Sequence, residues 1–138
     1  MILGVGTDLV EIDRVRKACE KDYFVMRTFT ETESRQAKGS ASKLADSFAV
    51  KEAVAKALGT GFRTFMPIDI EVLRDDLGKP YVNLYNGALK RFQELGMERM
   101  EVSISNTKEL AMAFAVGEGK SGGLADENTC HRKADEGD

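Results

Sequence analysis

The sequence predicts an α+β fold, with an N-terminal strand and helices followed by two hairpins that flank a short helix. Three observations carry this reading. A long helical stretch runs from Ser40, a residue type suited to an N-cap, to Gly59, suited to the position just past a helix end. Apolar residues alternate with period two at Ile68, Ile70 and Val72, and again at Met100, Val102 and Ile104. The chain also opens on a short apolar run, Ile2 to Thr7, whose glycines admit close approach of another backbone.

In chain order, the first strand ends at Asp8, and Asp8-Leu-Val-Glu11 fits a capping box for the next helix. That helix is expected from about Glu11 to Tyr23, with Ile12, Val15, Cys19 and Tyr23 as its apolar stripe. Arg14, Lys17 and Lys21 form a basic row on a neighbouring face. Thr30-Glu-Thr-Glu33 is a second capping box, opening a short helix that ends near Gly39. In the long helix, Ala41, Leu44, Phe48, Ala55 and Leu58 share one arc, the expected buried face. Lys51 and Glu52 fall inside that arc and Lys56 lies beside it, so these charges must pair or bind something. The plainest reading is an internal Glu52–Lys56 pair. After Phe65 a half-buried strand through Val72, a turn over Asp75 to Pro80 and a strand over Tyr81 to Leu84 make a hairpin. Ala88, Leu89, Phe92 and Leu95 give a short helix ended by Gly96. The second hairpin turns at Asn106-Thr-Lys and returns as a strand over Leu110 to Val116. From residue 118 the chain is polar and Gly-rich, and is expected to be a disordered tail beside a 1–117 domain.

Composition narrows the chemistry more than it suggests it. At 138 residues, 42% hydrophobic and 31% charged, the chain has the make-up of one ordinary soluble domain. Net charge is −3; the segment Gly119–Asp138 holds three cations against five anions, so the body is near −1. That argues against bulk nucleic-acid or anionic-membrane binding and makes any basic surface local. No apolar run approaches a membrane span and Met1 leads directly into a strand, which points to the cytoplasm. Cys19 and Cys130 make no disulfide framework, and the one histidine, His131, lies in the tail. The body therefore holds no Ser–His triad and no multi-histidine metal site. Its chemistry must run on carboxylates, lysines, arginines and backbone.

Asp8 at a strand end and Glu52 on the apolar arc give two carboxylates, with Lys56 one turn from Glu52. Such a set suits Mg²⁺ together with a phosphate, because Mg²⁺ favours one or two carboxylates plus substrate phosphates and water. Attack on a phosphoryl or pyrophosphoryl group follows as the candidate reaction.

The segments Gly4-Val-Gly-Thr-Asp-Leu-Val-Glu-Ile-Asp-Arg-Val15, Phe48-Ala-Val-Lys-Glu-Ala-Val-Ala-Lys-Ala-Leu-Gly-Thr-Gly61, Gly78-Lys-Pro80 and Val102-Ser-Ile-Ser-Asn-Thr-Lys108 occur in one order. Together they resemble the holo-[acyl-carrier-protein] synthases, the small trimeric class of 4′-phosphopantetheinyl transferases, over residues 1–117. The resemblance implies a small antiparallel sheet with a long central helix, assembled as a homotrimer with sites between subunits. It implies transfer of phosphopantetheine from coenzyme A to a serine of an acyl carrier protein in fatty acid biosynthesis, with adenosine 3′,5′-bisphosphate leaving. Asp8 and Glu52 match the Mg²⁺ ligands, Glu52 or a metal-bound water the base, and Lys56 the phosphate-contacting lysine. On this likeness Asp8 and Glu52 are drawn from different chains. Coenzyme A contacts fall to Lys43, Lys56, Gly59, Thr60, Gly61 and Asn106, and the row Arg14, Lys17 and Lys21 becomes the dock for an acidic carrier.

Two positions depart from the family pattern. Ser47 stands where an arginine contacting phosphate is common, and Asn106 where many members have histidine. Lys43 or Arg63 is the candidate to compensate. A non-catalytic carrier-binding adaptor and a Mg²⁺-dependent nucleotide or pyrophosphate hydrolase are the alternative functions.

Overall fold

The computed structural model describes residues 1–120, so the tail with Cys130 and His131, expected to be disordered, lies outside the described residues. The elements are β1 (Ile2–Glu11), α1 (Ile12–Ala18), α2 (Asp22–Thr28), α3 (Glu31–Ala37), α4 (Ala41–Ala57), a 3₁₀ turn (Pro67–Asp69), β2 (Ile70–Arg74), β3 (Pro80–Leu84), α5 (Asn86–Glu94), β4 (Met97–Asn106) and β5 (Leu110–Gly119). The strands form an antiparallel sheet ordered β1-β5-β4 and a separate antiparallel pair, β2-β3. This is the expected α+β arrangement, two hairpins around α5.

Helix α4 lies against one face of the three-stranded sheet. Small residues let it settle deeply: Ala45, Ala49, Ala53 and Ala57 recur every fourth position and are buried, as are Ala111, Ala113 and Ala115 of β5. A Cβ added at Gly4 or Gly6 would run into the carbonyl oxygens of Ala57 and Ala53. Those glycines therefore set how close β1 comes to α4, as the sequence suggested. The opposite face of the sheet carries Val5 and Leu9 of β1 beside Met112 and Phe114 of β5, all exposed.

Several expectations are corrected. Strand β1 continues through Asp8 to Glu11, because β5 pairs with it along that whole length, Asp8 opposite Ala113 and Glu11 opposite Leu110. Asp8 thus caps nothing; the N-cap of α1 is Glu11, which makes no side-chain cap bond. The single helix to Tyr23 is two, α1 and α2. The bend lets Phe24 pack on Phe29 and Phe48 and leaves Tyr23 exposed. Ile68 belongs to the 3₁₀ turn, not the strand. Strand β2 is buried from Ile70 to Leu73 rather than half-buried, with α3 and α4 packed beside it. β5 passes the expected Val116 end and runs to Gly119, where the N-terminal amine donates to its carbonyl at 2.8 Å.

The capping signals at Thr30 and Ser40 are realised: Thr30 and Glu33 form the reciprocal box, and Ser40 accepts from the Lys43 amide. The predicted arc on α4 is partly displaced, since Ala41, Leu44 and Phe48 are only half-buried. Elements enclose α4 on several sides, so no single apolar stripe describes it. Lys51 is fully buried. Its ammonium lies 2.8 Å from Glu33 Oε2 and donates to the carbonyls of Ile70 and Pro67 at 2.5 and 3.2 Å. Glu33 also accepts from the Val72 amide at 2.9 Å, so one carboxylate joins α3, α4 and β2.

Candidate active site

Position on the sheet decides which polar groups meet. Along β1, Gly4, Gly6 and Asp8 point to the α4 side, because alternate residues share a face. Lys51 and Glu52 are adjacent in sequence but about 100° apart on the helix, so Lys51 turns to α3 and β2 while Glu52 turns to β1. Asp8, Glu52, Arg14 and Phe48 consequently line one cleft of about 400 Å³, closed by α1, α2 and β1.

Lys56, one helical turn beyond Glu52, donates to Asp8 Oδ1 at 3.1 Å and to the Thr7 carbonyl at 2.9 Å. The expected Glu52–Lys56 ion pair is thereby replaced, because β1 presents a closer acceptor. Glu52 is half-buried. Burial, then the neighbouring Asp8 charge, push its carboxyl above the usual 4.5, and Lys56 offsets this in part. Both acids belong to one chain, which corrects the expectation that they come from different subunits.

Among the described residues no group of three or more His, Cys, Asp or Glu side chains clusters as a metal site. The pair nevertheless fits Mg²⁺: two hard carboxylate donors share a cleft, and their mutual repulsion is what a cation would relieve.

The other candidate residues divide between this site and a second cleft. Lys43 and Ser47 line a cleft of about 440 Å³ between the end of α3, the start of α4 and the β2–β3 turn, with Gly78 at its far wall. Lys43 and Glu52 are nine residues apart, about half a revolution out of phase, so the two clefts flank α4 on different sides. Gly59, Thr60 and Gly61 follow α4. Gly59 adopts φ +81°, the Gly61 amide donates to the Ala55 carbonyl, and Thr60 Oγ1 donates to the Gly61 carbonyl. Arg63 is exposed and lines neither of these clefts. Asn106 is exposed, and its Nδ2 donates to both carboxylate oxygens of Asp46, at 2.9 and 3.0 Å.

The basic row is also divided. Arg14 borders the acid cleft. Lys17 and Lys21 line a neighbouring shallow groove with Arg16, Tyr23 and Phe24. Lys17 pairs with Asp13 at 3.2 Å, and Lys21 stands at the N-cap of α2. Sequence reasoning missed Asp46 and Arg74, which are paired at 3.5 Å beside the second cleft. The signals available were an acid next to the departing Ser47 and an arginine at the strand end before Asp75-Asp76.

Comparison with known proteins places the chain in a family. The chain is 54% identical over 118 residues to the holo-[acyl-carrier-protein] synthase of Lachnoclostridium phytofermentans, covering 86% of this chain and 97% of the relative. Its structure is similar to the holo-ACP-synthase of Plasmodium yoelii, with a TM-score of 0.77 and 31% identity over 88% of this chain and 98% of the other. It is also similar to a Bacillus anthracis holo-(acyl-carrier-protein) synthase in complex with CoA (3′,5′-ADP), with a TM-score of 0.71, 36% identity, and coverage of 87% and 99%. The sequence pattern of the 4′-phosphopantetheinyl transferase superfamily matches residues 4–115, a span holding Asp8, Glu52 and Lys56, and the chain belongs to that family.

Proposed function

We propose that this chain moves the 4′-phosphopantetheine group of coenzyme A onto a serine of an apo-acyl carrier protein, a reading supported by its 4′-phosphopantetheinyl transferase family and by relatives named holo-[acyl-carrier-protein] synthase. The reaction would release adenosine 3′,5′-bisphosphate, in the cytoplasm and in the service of fatty acid synthesis. The observation that carries this reading is the convergence of Asp8, Glu52 and Lys56 on one cleft. Asp8 and Glu52 would hold Mg²⁺, which supplies positive charge to the pyrophosphate. Glu52, whose basicity is raised by burial, takes the serine proton as the serine oxygen bonds to the phosphopantetheine phosphorus. The bond from that phosphorus to the departing nucleotide breaks. Lys56 donates toward the charge that develops there.

Two observations support a homotrimer with shared sites. Val5, Leu9, Met112 and Phe114 form an apolar sheet face that α4 does not cover, a surface suited to other copies of the chain. The acid cleft and the Lys43–Ser47 cleft lie on different sides of α4, an arrangement suited to one coenzyme A that bridges two chains. Arg14, Lys17 and Lys21 border the acid cleft and the groove next to it, where an acidic carrier would deliver its serine.

The test incubates the protein with coenzyme A, Mg²⁺ and apo carrier, then reads the carrier's mass. A gain equal to phosphopantetheine is expected. Coenzyme A cleaved with an unmodified carrier would make the chain a hydrolase, and intact coenzyme A with a bound carrier would make it an adaptor.

A further inference from the structure

The second cleft has a charge pattern that the reaction just described does not use. Of its acidic walls, Glu33 is spent on Lys51, and Asp75 accepts the amides of Leu77 and Lys79 within its own turn. What remains is Lys38, Lys43 and Arg74 against the charges of Asp75 and Asp76, with Arg74 also facing Asp46.

Arg74 differs from the two lysines in being held at both ends. Its backbone N–H donates to Gln36 Oε1 at 3.0 Å, and Gln36 Nε2 donates back to its carbonyl at 3.5 Å. Its guanidinium stands 3.5 Å from Asp46 Oδ2. Asp46 is itself buried and fixed by Asn106. A guanidinium offers five N–H donors, and Asp46 meets it through one ion-pair contact at Nη2. The Arg74 side chain keeps 35% of its surface exposed, so the remaining donors are available to the cleft. A fork fixed in advance suits bidentate phosphate recognition and loses little freedom on binding.

Coenzyme A carries its negative charge in two places, the diphosphate and the 3′-phosphate of the ribose. On the shared-site reading above, the diphosphate lies at Asp8, Glu52 and Lys56, which leaves the 3′-phosphate as the dianion for the opposite cleft. We propose that Arg74 reads this 3′-phosphate and sets the preference for coenzyme A over its 3′-hydroxyl form, dephospho-coenzyme A. Asp46 and Asn106 are positioning residues that aim Arg74. Ser47, too short and uncharged to serve, is bypassed by a cation from another element.

The test compares kcat/KM for coenzyme A and for dephospho-coenzyme A at saturating carrier. The wild type is expected to favour coenzyme A at least tenfold, and Arg74→Met to collapse that ratio by tenfold or more. Arg74→Lys retains part of the preference. Asp46→Asn raises the KM for coenzyme A severalfold with kcat held, a split that a general loss of fold would not produce. Binding is read separately by calorimetry, with adenosine 3′,5′-bisphosphate and adenosine 5′-phosphate as probes and Arg74→Gln as a second variant. Wild type should bind the bisphosphate at least tenfold more tightly, and the variant should bind both alike. A wild-type ratio near one, or a ratio that Arg74 variants leave unchanged, overturns the assignment. Transfer from neither donor overturns the transferase reading instead, and the two-nucleotide binding comparison then still decides on Arg74.

Discussion

The ammonium group of Lys56 lies 3.1 Å from Asp8 Oδ1 and 2.9 Å from the Thr7 carbonyl oxygen, tying α4 to β1 where the two acids converge. Lys56 is half exposed while the Asp8 side chain is largely covered, so the lysine borders the cleft and the aspartate lines it. A cation binding between Asp8 and Glu52 would compete for this carboxylate and free Lys56 for a substrate phosphate.

Removing any of these three groups should therefore cost turnover more than fold. Asp8→Ala and Glu52→Ala are each expected to lower kcat/KM for carrier modification by about a hundredfold or more, and Lys56→Ala by about tenfold to a hundredfold. Circular dichroism should stay that of the wild type. A folded Glu52→Ala protein with near-normal turnover would remove Glu52 from the mechanism.

The raised Glu52 carboxyl gives a signature in the metal-free protein that does not depend on activity. The folded chain keeps this proton to higher pH than the unfolded chain, whose value is near 4.5. Between 4.5 and the raised value the folded state binds more protons, so unfolding free energy from this group falls as pH rises through that window. Glu52→Gln should flatten that part of the stability–pH curve. Mg²⁺ should raise the melting temperature of the wild type and do so far less for Glu52→Gln.

Because Asp8 and Glu52 meet within one chain, mixing Asp8→Ala with Glu52→Ala should restore no activity. Mixing Glu52→Ala with a Lys43→Glu/Arg74→Glu protein should restore part of it, since some interfaces then join an intact acid cleft to an intact opposite cleft. The measurement is turnover of re-equilibrated mixtures. Failure of the second mixture would mean that each chain holds a whole site.

Charge on α1 and at the start of α2 is expected to act on the carrier more than on coenzyme A. Reversal of Arg14 and Lys21 to Glu should raise the KM for carrier about tenfold, roughly 1.4 kcal/mol. The rise should shrink as salt screens it. Since Arg14 also borders the acid cleft, the single variants separate two roles. Lys21→Glu should leave the KM for coenzyme A unchanged, and an equal effect on both substrates from Arg14→Glu would assign Arg14 to the phosphates.

The buried Lys51–Glu33 pair predicts a stability effect apart from catalysis. Lys51→Met leaves the Glu33 carboxylate in an enclosed site and should cost about 3–5 kcal/mol of unfolding free energy. The double change with Glu33→Gln should recover part of this in urea titrations. If the single change costs no more than a surface substitution, the pair does not anchor α4.

What the chain determines by itself is local. Thr30 and Ser40 mark helix starts through their own hydroxyls, and Gly59 takes the left-handed conformation that follows α4. Period-two alternation marked β4 at Met100, Val102 and Ile104 but not β2, which is buried from Ile70 to Leu73, and the motifs around Asp8 and Glu52 carry the family's pattern. Pairing across the sheet was beyond local reading. It carried β1 on to Glu11 and turned Asp8 from a candidate cap into a wall of the cleft. Tertiary packing likewise separated two adjacent charges of α4. Lys51 faces an enclosed acid contributed by α3, whereas Glu52 faces β1, a difference set by about 100° of helix rotation and by what stands opposite. Lys56 found Asp8, and Asp46 found Asn106 and Arg74, because contacts spanning 48, 60 and 28 residues exist only once the sheet and α4 are assembled. Side-chain type set which groups seek a partner, and the packed backbone decided which partner lay within reach.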